Sequence, residues 1–390
     1  MSDYVLKLFD RDLVHFSARS TGRTPQIFIK DADTEAMSLM PMGMEVTNSG
    51  IASWLKHRKV PRNRAYVTSF LAKFGLSENS TMGIIDISKG LSLNDSYWVV
   101  PEDFTMTFAE CNLYEHRLNG AAALAALTGN GNCKHKDEVL SPEFTTHGML
   151  PKCWRRTAGK IWLYKGGTEG ASNMGNEPYS EYYAWQVAEI LGVRAVPYTL
   201  TMWKSVLCSK CELFTSKELS YVPAGNAVTE GGIEAVFEFC KRLGPAYTDS
   251  FEDMIVYDAV IANTDRHLGN FGFLADAATN TIIAPAPLFD HGNSLCNYAS
   301  QKDMESRQAF LEYADSRLPA CYDDFFAVAQ ACARPRHREG LRRLLDFRLK
   351  RHPRYNLAPK RLKLIEYAIQ KRASHLLGCQ SDGSAEIKFW

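Results

Sequence analysis

Hydrophobic and polar residues follow a helical period along most of the second half of the chain. Apolar residues recur at three- and four-residue spacing from Phe251 to Val260, which predicts a helix. The period ends in a polar run, Asn263 to His267. Two short apolar runs, Phe271 to Leu274 and Ile282 to Ala284, flank a polar segment of turn residues. This order predicts a helix, a polar loop and a β-hairpin in succession.

The same patterns predict the other elements of the chain. Strands are predicted at Val5–Phe9, Gln26–Ile29, Ile161–Lys165 and Val206–Phe214. Helices are predicted at Ile51–Gly75 with a break at Pro61, Pro178–Gly192, Phe325–Arg334, Gly340–Arg351 and Arg361–Leu377. Ser180 is the predicted N-cap of the second of these helices, and Gly192 is its predicted end.

The composition is typical of a globular protein and gives no sign of a strongly charged partner. The 390 residues are 45% hydrophobic and 11% aromatic. The net charge of +1 argues against steering to nucleic acid or acidic membranes. Residues 1–10 do not resemble a signal peptide, and no run approaches the ~18 apolar residues of a membrane span. Ten irregularly spaced cysteines favour reduced thiols, so we expect a cytoplasmic protein without a membrane partner.

Three local clusters resemble binding sites, but each also fits an interpretation without a ligand. Cys208 and Cys211 form a C-x-x-C, yet a zinc site needs a second pair, and a strand would place the thiols on opposite faces. Cys133 and His135 fit a loop equally well. The basic run at 56–64 fits either contact with a nucleic acid or acidic partner, or a solvated helix end.

Three polar residues have the order and spacing that phosphoryl transfer requires. Asn270 follows Asp265 by five residues, and Asp290 stands in a D-x-G turn after the predicted hairpin. Phosphoryl transfer needs a carboxylate that orients the attacking hydroxyl and oxygen ligands that hold Mg²⁺ on the nucleotide phosphates. Protein kinases supply these groups in this order from one unit. His267, two residues after Asp265, is close enough in sequence to share a pocket with the transferred phosphate.

The stretches NTDRHLGNFGF and APLFDHGNSL resemble the HipA-like kinases, which share the bilobal protein-kinase fold. Phosphatidylinositol kinases carry a similar D-R-H-x-x-N loop, so the loop alone does not choose between the two. The resemblance covers residues 141–378 and implies an α+β, bilobal, kinase-like fold, with a small sheet lobe and a larger helical lobe. It also implies ATP and Mg²⁺ as cofactors.

The resemblance implies a role for each polar residue of these stretches. Asp265 orients the substrate hydroxyl and accepts its proton, Asn270 and Asp290 hold Mg²⁺, and His267 steadies the transferred charge. Lys165 stands at the end of a predicted strand, at the place of the kinase lysine that pairs with phosphates and with a helix carboxylate.

Glu181 is the expected carboxylate partner of Lys165. It shares a helix face with apolar residues, where an unpaired charge is costly. Glu177 and Glu189 are alternative partners. Glu181 also fits a first-turn residue that the helix dipole favours, without any pairing.

The expected nucleotide contacts precede and follow Lys165. The loop FTTHGMLPK carries Thr146, Gly148 and Lys152, and HipA-like proteins cover the phosphates with a short loop of this kind. It is not the G-x-G-x-x-G of ordinary protein kinases, and a plain surface loop is the alternative. Glu212 and Phe214 lie where kinases place the hinge that bonds the adenine edge.

These expectations give one leading function and two alternatives. We expect an accessory region at 1–140, a nucleotide-binding lobe at 141–214, a helical catalytic lobe at 215–378 and a tail at 379–390. The leading function is an ATP- and Mg²⁺-dependent serine/threonine kinase of HipA-like type with a protein substrate, self-phosphorylated at Thr145 or Thr146. The resemblance also implies a toxin with an antitoxin partner. A lipid or small-molecule kinase, or a nucleotide-binding module without catalysis, are the alternatives.

Overall fold

The computed structural model describes residues 1–20, 23–131, 140–170, 174–378 and 387–389. The strands are β1 (Ser2–Leu8), β2 (Arg11–Arg19), β3 (Gln26–Ala32), β4 (Tyr97–Pro101), β5 (Lys152–Thr157), β6 (Lys160–Lys165), β7 (Tyr198–Trp203), β8 (Val206–Glu212), β9 (Leu219–Pro223), β10 (Gly272–Asp276) and β11 (Thr281–Pro285). The helices are α1 (Asn48–His57), α2 (Val67–Ala72), α3 (Thr81–Ser88), α4 (Phe108–Cys111), α5 (Gly120–Thr128), α6 (Glu177–Leu191), α7 (Ala224–Ala227), α8 (Gly232–Leu243), α9 (Pro245–Ile261), α10 (Arg307–Asp315), α11 (Phe325–Cys332), α12 (Arg338–Leu344) and α13 (Pro359–Gly378). Short 3₁₀ helices lie at Thr34–Leu39, Pro142–Phe144 and Pro335–His337.

The predicted elements are present, and two details of the prediction are wrong. Ser180 is not a cap: α6 begins at Glu177, and the Ser180 hydroxyl donates to the Ser294 carbonyl at 3.1 Å. The helix predicted from Gly340 ends at Leu344. Beyond it the backbone of Lys350 bonds a side chain of α6, so a tertiary contact overrides the helical period. Gly192 does end α6, in the left-handed conformation that glycine adopts readily.

The chain divides into two compact units. The first contains 1–165, 212–222 and 274–283, and the second contains 166–211, 223–273 and 284–390. The predicted ranges 1–140, 141–214, 215–378 and 379–390 do not coincide with these units. The ranges stay a prediction of how functions are divided along the chain, which differs from a division into compact units.

The first unit contains an antiparallel sheet with strand order β3-β2-β1-β4. Alternate residues of β1 and β2 point into one core, where Leu6 and Phe16 are fully buried. A second cluster gathers α2, α3 and α5 around Phe144, whose ring lies 5.0 Å from the rings of Phe70 and Phe74. Phe144 begins the predicted phosphate loop, so one end of that loop belongs to the core.

The basic run of the first unit is divided between exposed residues, which include Lys56 and Arg62, and buried ones. Arg58, Lys59 and Arg64 are buried. Arg58 forms a two-pronged ion pair with Asp95, and Lys59 donates to the Glu78 carbonyl. A solvated helix end and an exposed basic surface are therefore both wrong for these three residues, because their charges are satisfied inside the unit.

The second unit is mainly helical. α9 is buried from Phe251 to Ile261 and packs against α6, α8, α11 and α13. The Tyr257 hydroxyl donates to the Ala184 carbonyl at 2.8 Å and joins α9 to α6. No helix among the described residues is both long enough and apolar enough to cross a membrane. Cys133, His135 and almost all of the predicted tail lie outside the described residues.

Candidate active site

The polar loop after α9 starts where the helix is forced to stop. Ala262 adopts a left-handed φ of 50°, which ends the helical ladder. The Asp265 N–H then donates to the Asn263 side-chain oxygen at 3.2 Å. The Asp265 carbonyl accepts from the His267 N–H and from the Asn270 side-chain amide, both at 2.9 Å. Asp265 and Asn270, predicted to act together, are thus parts of one closed loop.

A buried ion pair lies beneath this loop. The Arg266 side chain is 1% exposed and that of Asp258, in α9, is 0% exposed. The Arg266 guanidinium donates to both Asp258 carboxylate oxygens, at 2.8 and 3.1 Å. Burial acts to lower the pKa of Arg266, but the charge of Asp258 and its hydrogen bonds raise it above its usual value. Arg266 therefore stays charged, and the loop is held by the fork of hydrogen bonds from its guanidinium to Asp258.

The same guanidinium joins the loop to the D-x-G turn. Its Nη1 donates to the Asn270 carbonyl at 2.8 Å and to the Phe289 carbonyl at 2.6 Å. Its Nη2 lies 3.1 Å from Nδ1 of His291. The backbone of Asn270 and the residue before Asp290 therefore meet at one nitrogen. Arg266 thus joins the backbone at two predicted metal ligands that are 20 residues apart in sequence, and a shared metal ion stays a prediction.

The D-x-G turn is fixed from its other side as well. Asp290 has a left-handed φ of 59°, a conformation that costs free energy for a residue other than glycine. Its N–H donates to the Tyr198 hydroxyl at 3.2 Å, and the His291 N–H donates to the Glu181 carboxylate at 3.0 Å. Burial, and then the charge of Glu181, raise the pKa of Tyr198 well above its usual value. Tyr198 therefore keeps its proton while it holds the turn.

The predicted base is oriented by a residue that the sequence reasoning missed. The Asn293 side-chain amide donates to the Asp265 carboxylate at 2.9 Å. The Asn293 carbonyl accepts from the Thr264 N–H at 3.1 Å. Asp265 itself is half-exposed, so a substrate can reach its carboxylate. Asn293 thus holds one carboxylate oxygen in place.

His267 is exposed on the outer side of the loop. Its Nδ1 accepts from the Gly269 N–H at 3.0 Å. This bond closes the loop locally and uses the Nδ1 atom of the ring. A role in steadying transferred charge stays a prediction.

Glu181 and Lys165 are both buried, at 1% and 3% exposure. Lys165 ends β6 in the first unit and Glu181 lies on α6 in the second, and their predicted pairing stays a prediction. Of the alternatives, Glu189 is exposed. Glu177 is buried and accepts from the hydroxyls of Thr168 and Tyr298, so its carboxylate is already engaged.

Lys152 and Lys165 face one another across the β5–β6 hairpin. They are directly paired in the antiparallel register, so their side chains leave the same face. Both are buried, and the Lys152 ammonium also donates to the His147 carbonyl at 2.8 Å. The two lysines therefore share one buried face of the hairpin, and their contact with a nucleotide stays a prediction.

The loop 144–152 is braced by the first unit. Arg64 donates to the carbonyls of Thr146 and Lys152. Thr146 is half-buried, and its hydroxyl donates to the Pro142 carbonyl at 2.6 Å. Gly148 has a φ of 95°, and a Cβ there would collide with the Lys152 ammonium. The glycine is therefore needed for the lysine to lie against the loop.

The predicted hinge residues end β8. Glu212 forms an exposed ion pair with Lys160 at 2.7 Å, and the ring of Phe214 packs edge-on to Tyr221. The Leu213 N–H between them donates to the Ile161 carbonyl at 2.9 Å. That donor is already used, and an adenine-binding role for Glu212 and Phe214 stays a prediction.

The donor set fits magnesium better than a transition metal. Asn270 donates its amide N–H to Asp265, so its amide oxygen is the atom left for a cation. That oxygen and the Asp290 carboxylate are hard ligands of the kind that Mg²⁺ takes together with nucleotide phosphates. Within the described ranges no three His, Cys, Asp or Glu residues are grouped as a metal site. Cys208 and Cys211 are buried in β8, so the strand predicted at the C-x-x-C is present.

Comparison with known proteins identifies what this chain resembles. No family model matches the sequence. Over 143 residues, or 33% of the chain, it is 27% identical to the serine/threonine-protein kinase CtkA of Helicobacter pylori. That match takes in 43% of CtkA, so the chain spans less than half of this relative.

Solved structures extend the comparison to the whole chain. HipA of Shewanella oneidensis MR-1, in a complex with HipB and operator DNA, matches with a TM-score of 0.59 at 14% identity, over 96% of this chain and 97% of that one. The crystal structure of H. pylori CtkA has a TM-score of 0.47 at 18% identity, over 60% and 90%. The α+β, kinase-like fold and the resemblance to the HipA-like kinases are thereby confirmed.

Proposed function

We propose that this protein is an ATP- and Mg²⁺-dependent serine/threonine kinase of HipA-like type. One observation carries the proposal. A single buried side chain, Arg266, holds the loop that carries Asp265 and Asn270 and the turn that carries Asp290. Phosphoryl transfer depends mainly on positioning and charge, and this arrangement fixes the position of three oxygen donors. The similarity to CtkA over part of the chain supports the same reaction class.

We assign Asp265 as the residue that orients the substrate hydroxyl and accepts its proton. Its carboxylate accepts the hydroxyl proton as the oxygen attacks the γ-phosphorus, and the bond from that phosphorus to the bridging oxygen of ADP breaks. Asn293 keeps the carboxylate in one orientation by its hydrogen bond at 2.9 Å. Such a positioned base contributes roughly 10² to 10⁴ in rate.

We assign Asn270 and Asp290 as the ligands of the metal ion. A bound Mg²⁺ would neutralise charge that develops on the phosphates. The protein's part is to hold the two oxygen donors in place, through Arg266, Tyr198 and Glu181. Lys152 and Lys165 are assigned to phosphate oxygens, because the register of the β5–β6 hairpin places both buried side chains on one face.

Self-phosphorylation of the loop 144–152 is part of the proposal, and the structure favours Thr146 over Thr145. Thr145 is 3% exposed and bonded to the Leu91 carbonyl, whereas Thr146 is half-buried. A phosphate on Thr146 adds nearly two negative charges next to the predicted nucleotide phosphates, so ATP binding falls. Peptide mapping of wild-type protein and Asp265→Asn made in cells checks this. A phosphate equally present in both contradicts it.

The acceptor is assigned as a protein, and an antitoxin as a partner. The support is the Shewanella structure, in which HipA is assembled with HipB and operator DNA. Co-expression with a neighbouring antitoxin-like protein, followed by size-exclusion chromatography, tests the partner. Separate elution of the two proteins contradicts it.

The metal assignment has the sharpest test. Calorimetric titration with ATP, with and without Mg²⁺, is expected to show tighter binding by the wild type when Mg²⁺ is present. Asp290→Ala is expected to lose this difference. The control Asp276→Ala, in the β10–β11 turn, is expected to keep it. Equal gains from Mg²⁺ in wild type and Asp290→Ala would remove Asp290 from the site.

A further inference from the structure

A strongly basic segment lies along α6, the helix that carries Glu181. We call residues 338–358 the basic strap. It contains seven arginines and lysines but only two acidic residues, Glu339 and Asp346. The basic side chains are all exposed: Arg338, Arg342, Arg343, Arg348, Lys350, Arg351 and Arg354. Basic residues at this density need a reason beyond solubility, because they repel one another.

The strap is bound to α6 along most of the helix, so its backbone has a fixed path. At the end of α6, a Cβ on Gly340 would lie 2.7 Å from the Leu191 Cα, which shows how closely α12 approaches. In the middle, the Lys350 N–H donates to Gln186 at 2.8 Å, and Gln186 donates back to the Lys350 carbonyl at 3.1 Å. Nearer its start, Tyr183 donates to Asn356 at 3.0 Å.

The ring of His352 contacts α6 near the start of that helix. It lies 5.8 Å from the ring of Tyr182 in an edge-on contact. The strap therefore runs beside α6 from Leu191 to Tyr182, about 14 Å at 1.5 Å per residue. Its positive charges form a row rather than a scatter.

Few of these charges are neutralised within the protein. Arg343 pairs with Glu339 one turn away, and Arg348 lies 3.9 Å from Glu366. In the part of the chain that the structure describes, Arg342, Lys350, Arg351 and Arg354 form no salt bridge. The row is thus open to an external anion, and arginine-rich rows bind carboxylates and phosphates in two-pronged geometry.

We propose that the basic strap is a docking surface for an acidic segment of a partner protein. This proposal does not depend on the kinase reaction. The occupant follows from the charge distribution. Since the whole chain has a net charge of only +1, acidic residues elsewhere balance the strap. A short acidic peptide responds to the charges within a Debye length of about 8–10 Å, and so to the strap alone.

A nucleic acid fits the strap less well. A long polyanion also meets the acidic remainder of the surface. The strap's exposed side offers little for base stacking, since the rings of His352 and Tyr355 stack on each other at 5.2 Å. An extended peptide of about eight residues covers about 26 Å, enough for the whole row.

The test measures binding of a fluorescent oligoglutamate peptide, about eight residues long, by anisotropy at about 0.05 M salt. Wild-type protein is expected to bind it, and to bind less tightly at about 0.3 M salt. The charge-reversed variant R342E/K350E/R351E/R354E is expected to bind at least tenfold less tightly. The control K56E/R117E/K204E/K302E changes the net charge equally at exposed, scattered sites and is expected to bind nearly as wild type does.

Each other outcome overturns the proposal. Equal losses in the two variants mean that only net charge matters. No binding by the wild type means that the row has no affinity for acidic peptides. If a labelled DNA duplex or RNA binds the strap more tightly than the peptide does, the surface is a nucleic-acid surface. Circular dichroism of both variants, and the neutral variant R342Q/K350Q/R351Q/R354Q, separate loss of binding from loss of fold.

Discussion

Two loops of this protein are assigned to phosphoryl transfer, and they are braced in different ways. The loop 263–270 lies over a buried ion pair, in which Arg266 bonds the carboxylate of Asp258 and two backbone carbonyls. The loop 144–152 is held by an apolar ring, Phe144, and by Arg64, which donates to the backbone carbonyls of Thr146 and Lys152. The first brace depends on paired charges, and the second on packing and on neutral acceptors.

This difference matters for what each loop can do. A charged pair with additional hydrogen bonds is costly to disturb, because removal of one partner leaves a buried charge. That suits a loop whose oxygen atoms need fixed positions. Arg64 bonds neutral carbonyls, and the other end of its loop carries half-buried and exposed residues from Thr146 to Leu150. That suits a loop that moves when nucleotide binds or when a hydroxyl is modified.

The largest expected effect is on the rate, at the first loop. Asp265→Asn keeps the size of the side chain but removes the carboxylate that takes the proton. We expect a loss of about 10² to 10⁴ in the rate of phosphoryl transfer, with ATP affinity and fold retained. Single-turnover transfer and nucleotide titration on the same preparation check this. A tenfold change in rate corresponds to about 1.4 kcal/mol. If the rate of the variant is within twofold of the wild-type rate, Asp265 is not the base.

The next prediction compares the stability that Arg266 contributes to the first loop with the stability that Arg64 contributes to the second. Arg266→Met leaves the Asp258 carboxylate buried without its cation, and we expect a loss of about 3–5 kcal/mol of unfolding free energy. Arg64→Met leaves carbonyls without a donor, for which about 1–3 kcal/mol is expected. Denaturant unfolding of both variants measures the difference. Equal losses would contradict the distinction between a charged and a neutral brace.

The double variant Asp258→Leu/Arg266→Met sharpens the same comparison. It removes both buried charges, and should recover part of the stability lost in Arg266→Met. Its transfer rate should stay low, because the carbonyls of Asn270 and Phe289 have lost their shared donor.

A smaller effect is expected at Asn293. Asn293→Ala removes the hydrogen bond to Asp265 and frees its carboxylate to rotate, so we expect a loss of about tenfold in rate, near 1.4 kcal/mol, with ATP affinity unchanged. Asn280→Ala is the matched control, since Asn280 donates to carbonyls in the first unit. Steady-state kinetics decide this: an equal effect of both substitutions would mean that Asn293 acts only on stability.

The smallest effect concerns Glu143, beside the second loop. Burial raises the pKa of Glu143 to about 7, although the Trp154 N–H and the charge of Arg64 act against this. Its ordinary value is about 4.3. The stability that it contributes is therefore complete below pH ~4.3 and is lost as the pH rises through about 7.

Glu143→Gln removes this titration. Its unfolding free energy should depend less on pH between about 5 and 7 than that of the wild type. Chemical unfolding at several pH values measures it. Parallel curves for the two proteins would show that Glu143 is ionised throughout.

The two loops differ in how much of their structure could be predicted from the sequence, and the reason is physical. Asp265, Asn270 and Asp290 could be predicted as site residues because kinases supply these groups from one short stretch in fixed order, and their roles stay a prediction. Asp258 had a signal as well: a carboxylate inside a buried helix needs a partner, and Arg266 is eight residues away. Arg64 and Thr146, which are 82 residues apart, had no such signal, because only the folded chain brings them together.

In the basic strap, the sequence pattern predicted a local structure that the folded chain does not have. The helical period predicted a helix through Arg351, yet the chain leaves the helix at Leu344. Buried Leu349 and the two bonds between Gln186 and Lys350 favour an extended path along α6. Periodicity reports local preference, and tertiary hydrogen bonds of this kind override it.

The central claim, that the first loop transfers phosphate from ATP to a protein hydroxyl, has one direct test. Purified protein is incubated with γ-labelled ATP, Mg²⁺ and a lysate from its host, and the labelled products are separated and hydrolysed to amino acids. The account predicts label on phosphoserine or phosphothreonine, dependent on Mg²⁺ and absent with Asp265→Asn. Label in lipids or small molecules, or no labelled product while ATP binds, would contradict it.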